Sequence, residues 1–119
     1  MAKNRYLIII PPHKEPYIKS FNNPDKARSI ISSKTEGAPV KEYPCDFFTR
    51  ETVFFAAEGK KKQTLPVNDR ATYITPEGET EQVNGHALIC GVPGDNICGF
   101  TLEEAEEMLS EINDIYIGA

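Results

Sequence analysis

Three cysteines (Cys45, Cys90 and Cys98), two histidines (His13 and His86) and a thin scatter of cations are the side chains that could do chemistry in this chain. A thiol beside an imidazole would make a nucleophile, but no elbow or family signature surrounds any of these five residues. Cys45, His86, Cys90 and Cys98 can be written as zinc ligands, yet their spacing matches no familiar ligand pattern. Cys90 lies in an apolar run, where a small buried cysteine is the usual occupant. An odd cysteine count without a CxxC pair points to free thiols in a reducing compartment. The stretch Gly91-Val92-Pro93-Gly94-Asp95-Asn96-Ile97-Cys98-Gly99 is glycine-rich but lacks the Lys-Ser/Thr ending of a phosphate loop. Catalysis, a metal and a cofactor are therefore not expected.

Anion binding has more to support it. Residues 1–62 hold 12 of the 13 Lys and Arg against 7 acids, whereas residues 63–119 hold only Arg70 against 11 acids. The asymmetry reads as carboxylate-solvated faces, or as a dipolar surface whose basic side attracts an anion or another subunit's acidic side. Arg70 could pair with a neighbouring carboxylate or offer its planar fork to a phosphate or carboxylate ligand. Lys60-Lys61-Lys62 reads as a solvated turn or as an anion contact. Tyr17, Tyr73, Phe47 and Phe48 could stack on a base or belong to the core. The expected ligand-binding set is Arg70, Asn68, His13, Lys14, Tyr17 and Lys60. A net charge of −5 without a recognised binding motif disfavours duplex nucleic acid.

These residues need a scaffold, and 119 residues with 39% hydrophobic and 26% charged supply one domain with a small core. The longest apolar run, Leu7 to Ile10, is far below the roughly 20 residues that cross a bilayer. Neither a membrane span nor a secretory signal is expected, and the expected location is cytoplasmic. Arg5–Ile10 reads as a strand covered on both faces, and His13–Phe21 as an extended loop or irregular strand. Asn23-Pro24-Asp25 starts a helix with Ala27, Ile30 and Ile31 on its apolar stripe, ended by Gly37 and Pro39. Val40–Tyr43 is a strand ended by Pro44, and Thr52–Ala57 a buried strand closed by the turn Glu58-Gly59-Lys60. A hairpin is predicted from Ala71–Thr75 and Glu79–Val83, then a strand over Ala87–Val92. Thr101 and Glu104 form a capping box for a last helix whose core stripe is Leu102, Ala105, Leu109, Ile112 and Tyr116. The predicted fold is α+β, with about five mostly antiparallel strands and two helices, the last C-terminal.

The order of segments resembles domain-of-unknown-function family thirty-eight forty-six, found in bacteriophages, prophages and mobile elements. The resemblance rests on the first strand leading into Pro11 and Lys14-Glu15-Pro16-Tyr17, then Val40-Lys41-Glu42-Tyr43-Pro44 and Glu58-Gly59-Lys60. It continues through Leu65-Pro66-Val67-Asn68-Asp69-Arg70-Ala71, Val83-Asn84-Gly85-His86-Ala87-Leu88-Ile89-Cys90-Gly91 and Leu102-Glu103-Glu104-Ala105. It implies a small accessory protein working in a bacterial host cytoplasm. With the residue reading, it leads to a non-catalytic anti-defence protein that sequesters a host nucleotide signal, self-associating to enclose it. The alternative is an acidic inhibitor, with Glu77, Glu79, Glu81 and the C-terminal acids blocking a host defence enzyme. A hydrolase or nuclease ranks last.

Overall fold

The run Leu7-Ile8-Ile9-Ile10 has no polar side to show to water, and all four residues are 0% exposed. They lie in β1 (Arg5–Ile10), an inner strand of a five-stranded sheet. The computed structural model describes residues 5–47, 50–74, 82–91 and 99–117. The other elements are β2 (Tyr17–Phe21), α1 (Pro24–Lys34), β3 (Val40–Phe47), β4 (Arg50–Ala57), α2 (Asp69–Ile74), β5 (Ala87–Gly91) and α3 (Leu102–Ile117), with a 3-10 turn over Lys60–Thr64. The sheet order is β2-β1-β5-β4-β3, every neighbouring pair antiparallel. The fold is α+β with a C-terminal helix.

Side chains alternate between the two sheet faces, and helices cover both. Leu7, Ile9, Phe55, Leu88 and Cys90 pack with Ala27 and Ile31 of α1. Ile8, Ile10, Phe54 and Ile89 pack on the opposite side with Ala71 and Ile74 of α2 and Ala105, Met108 and Ile112 of α3. Double coverage is why the inner strands read as unbroken apolar runs. Where β5 no longer accompanies β1, Phe100 takes over: its amide donates to the Tyr6 carbonyl at 2.8 Å and its carbonyl accepts from the Tyr6 amide at 3.0 Å.

The caps follow local chemistry. The Lys26 amide donates to Asn23 Oδ1 at 2.9 Å, and Pro24 opens α1 where a missing N–H costs nothing. The capping box of α3 is reciprocal: the Glu104 amide donates to Thr101 Oγ1 at 3.1 Å, and the Thr101 amide to Glu104 Oε1 at 2.9 Å.

Four expectations change. Residues 71–74 belong to α2 instead of a hairpin strand, because Asn68 caps that helix and Ala71 and Ile74 reach the core at helical spacing. Of the predicted partner strand, 79–81 lie outside the described residues, and Gln82 and Val83 form no strand. Tyr17–Phe21 is a regular edge strand paired along β1. β3 runs through Pro44 to Phe47; an edge strand tolerates a missing N–H because one row of its backbone groups has no sheet partner.

The core stripe of α3 is Ala105, Met108 and Ile112, with Leu109 half-buried and Leu102 46% exposed; the Tyr116 side chain lies outside the described residues. Met108 also fits a three-and-four spacing, and the helix is rotated so that it takes the inner place. Ile112→Ala is therefore expected to lose about 2–5 kcal/mol in urea unfolding, and Leu102→Ala less than about 0.5 kcal/mol. Equal losses would contradict this orientation of α3.

Candidate functional site

The residues with chemistry converge on one end of the sheet because of how the strands meet there. β1 ends at Ile10, β2 starts at Tyr17 opposite Ile9, and β5 starts at Ala87 opposite Ile10. The loop Pro11–Pro16, carrying His13, Lys14 and Glu15, and the residue His86 thus share that end. Asn68 is tied to it directly. Its Nδ2 donates to the carbonyls of Ile10 and Gly85, both at 2.8 Å, and its Oδ1 accepts from the Ala71 amide at 3.0 Å.

Asn68 is 0% exposed, so these bonds build the scaffold and leave the side chain closed to a ligand. Around it the segments 65–68 and 82–85 clasp each other: the Asn68 amide donates to Val83 O at 2.9 Å, and Asn84 Nδ2 to Leu65 O at 3.0 Å. Buried backbone at this turn is satisfied by a short antiparallel bridge, Val67 to Asn84, together with side-chain amides.

Arg70, in the first turn of α2, offers its fork to Glu15, with Nη1 3.1 Å from Oε2 and Nη2 3.5 Å from Oε1. Arg70 is 15% exposed by its side chain and Glu15 79%. This is a carboxylate pair, one of the two roles open to Arg70 in sequence, and it ties the β1–β2 loop to α2. A double-mutant cycle of Arg70→Ala with Glu15→Ala is expected to give about 0.5 kcal/mol of coupling, as for an exposed pair, fading in high salt. Zero coupling would mean that the pair does not hold the loop.

His86 is half-buried just before β5. Burial is the main cause that holds its pKa below the ordinary 6.5. Lys34 adds to the depression, Glu36 opposes it, and Lys14 adds a smaller share. Lys34 closes α1, where a cation also suits the helix C-terminus, and its Nζ stands 6.0 Å from the centroid of the Tyr17 ring. Two ammonium groups from separate segments, the Glu36 carboxylate, an aromatic ring and a half-buried imidazole therefore share one neighbourhood.

Of the six sequence-derived residues, Lys14 and Tyr17 belong to this neighbourhood, and Arg70 borders it through Glu15. His13 is exposed in the same loop. Lys60 is exposed beyond the end of β4, two strands from β1 in the sheet. His86 and Lys34 were missing from the set. A histidine straight after a glycine turn (Gly85, φ 76°) at the mouth of a buried strand was the signal for the first; nothing local marks Lys34.

Of the four zinc ligands written from sequence, Cys90 is packed among Leu7, Ile9 and Leu88. The Cys45 side chain and Cys98 lie outside the described residues, as do Phe48 and the Phe47 side chain. Among the described residues no group of three or more His, Cys, Asp and Glu could hold a metal ion, and no helix is long and apolar enough to cross a membrane. Compared with protein-family models, with curated proteins and with solved structures, the chain finds no match.

Proposed function

We propose that this protein binds a small phosphorylated ligand of the nucleotide class at the basic end of its sheet and holds it without transforming it. One observation carries the reading: Lys34 of α1 and Lys14 of the β1–β2 loop both oppose protonation of the half-buried His86, with Glu36 acting against them. Two cations against one acid around a half-buried ring favour an anion. Tyr17 supplies a face for a base, and the lysines supply point charges for phosphate. In the wider form of the proposal the ligand is a host nucleotide immune signal, sequestered in a bacterial cytoplasm by a self-associating phage or mobile-element protein. That context comes from the family resemblance in the sequence.

The pH dependence has a definite sign. The folded-state pKa of His86 is lowered, so its contribution to stability is present above the unfolded value of about 6.5 and lost as pH falls through the folded value. A bound phosphate favours the imidazolium and reverses that balance. Binding should therefore take up a proton and tighten from about pH 8 to about pH 6.

Native mass spectrometry with AMP, ADP and cyclic dinucleotides, alongside an NMR titration of His86, tests both statements. The expected result is a retained nucleotide, an upward move of the His86 pKa when it binds, and at least about tenfold weaker retention in Lys34→Glu, equivalent to about 1.4 kcal/mol. Retention of none of the three, or a His86 titration blind to them, would refute the reading.

A second reading, the acidic inhibitor, draws on α3. Glu103, Glu106, Glu107, Glu111 and Asp114 are all exposed along that helix. It requires a protein partner and indifference to nucleotides, so the same experiment separates the two.

A further inference from the structure

A pocket lies on the α1 side of the sheet, between α1 and the β3–β4 edge. It is an open groove of about 160 Å³, lined by Arg28, Ile31 and Ser32 of α1, Val40 and Glu42 of β3, and Phe55 of β4. Its floor is apolar: Ile31 is 5% and Phe55 3% exposed, and Val40 is half-buried. Glu42 sits opposite Phe55 in the strand register, so both side chains rise on the same face. Arg28 and Ser32 are four residues apart on α1 and share one side of that helix. The groove thus has a cation on its helical wall and an anion on its strand wall. Both are exposed, and among the described residues they are not paired with each other.

We propose that this groove binds a free α-amino acid with a branched aliphatic or aromatic side chain. Arg28 takes the carboxylate, Glu42 the ammonium group, and Ile31, Val40 and Phe55 the side chain. Size sets the first limit. The groove's volume of about 160 Å³ is close to the roughly 150 Å³ of an enclosed apolar cavity that holds one benzene. One such side chain fits on the apolar floor. Charge sets the second limit. A simple carboxylate would meet Glu42, a simple amine would meet Arg28, and a neutral apolar molecule would leave both walls unused. A zwitterion on an apolar stem complements both.

The test uses L-leucine and L-phenylalanine as probes, with N-acetyl-L-leucine and L-leucinamide as controls that each lack one charge. Backbone amide shifts of Ile31, Val40 and Phe55 in NMR spectra report occupancy. The expected result is saturable shifts with the free amino acids and at least tenfold weaker binding of either control. Arg28→Ala should abolish discrimination against the amide, and Glu42→Gln discrimination against the N-acetyl form. Both substitutions are at exposed positions, and their spectra report folding directly. Equal binding of controls and free amino acids would overturn the proposal in favour of an apolar side chain from a peptide. An absence of shifts with both amino acids, or discrimination unchanged in both variants, would overturn it outright.

Discussion

Asn68→Asp should destabilise the protein by about 3–5 kcal/mol, although it changes one amide nitrogen to an oxygen and leaves the shape intact. Nδ2 now donates to the carbonyls of Ile10 and Gly85 at 2.8 Å each, in a side chain with no solvent exposure. An aspartate places an acceptor against two acceptors, each left unsatisfied at about 1–3 kcal/mol. The bond from the Ala71 amide survives the change, so the cap of α2 is not what is lost. Domains of this size hold about 5–15 kcal/mol in total, so the variant approaches its unfolding midpoint in mild urea. A loss under about 1 kcal/mol would show that these carbonyls find other partners and that Asn68 is free for another role.

Gly99→Ala is expected to cost about 2–4 kcal/mol, combining a left-handed backbone penalty with overpacking. Gly99 has φ 71°, and a Cβ there would lie 2.5 Å from Phe21 Cζ and 3.0 Å from Arg5 Cβ. Its carbonyl also accepts from Arg5 Nη2 at 2.9 Å, so the segment has little freedom to retreat. Gly37 is the control: it has φ 77° but nothing within 4 Å, so Gly37→Ala should cost only about 1 kcal/mol. Thermal melts of both variants, with Gly99→Ala also made in a Phe21→Leu background, separate backbone strain from the clash. Equal shifts for Gly37→Ala and Gly99→Ala would leave the clash with no role.

Asn68 also shows why a reading of site residues from sequence has a limit. Leu65-Pro66-Val67-Asn68 reads as a shaped turn, and shaped turns often carry function. The turn is real, but its asparagine faces inward, toward a carbonyl 58 residues away in the chain. No local signal distinguishes an Asn that caps and clamps from one that greets a ligand. His86 shows the converse. Its neighbours along the chain, Gly85 and Ala87, carry no charge; the lysines that act on it come from positions 14 and 34.

What the sequence by itself determined is what neighbouring residues settle among themselves. The caps at Asn23 and Thr101 rest on hydrogen bonds spanning three residues. The inner strands β1 and β5 are apolar at every covered position, which demands burial on both faces whatever the order of the sheet. Only the tertiary structure decided the rest. It gave residues 71–74 to a helix, since the cap, the clasp of 65–68 on 82–85 and burial of Ala71 and Ile74 outweigh the strand preference of Thr-Tyr-Ile. It placed β5 between β1 and β4, and so brought His86 beside the β1–β2 loop. It seated α1 so that Lys34 stands over Tyr17 and Arg28 faces the β3 edge. Each depends on contacts between distant segments, whose free energy is gained only when the whole core closes.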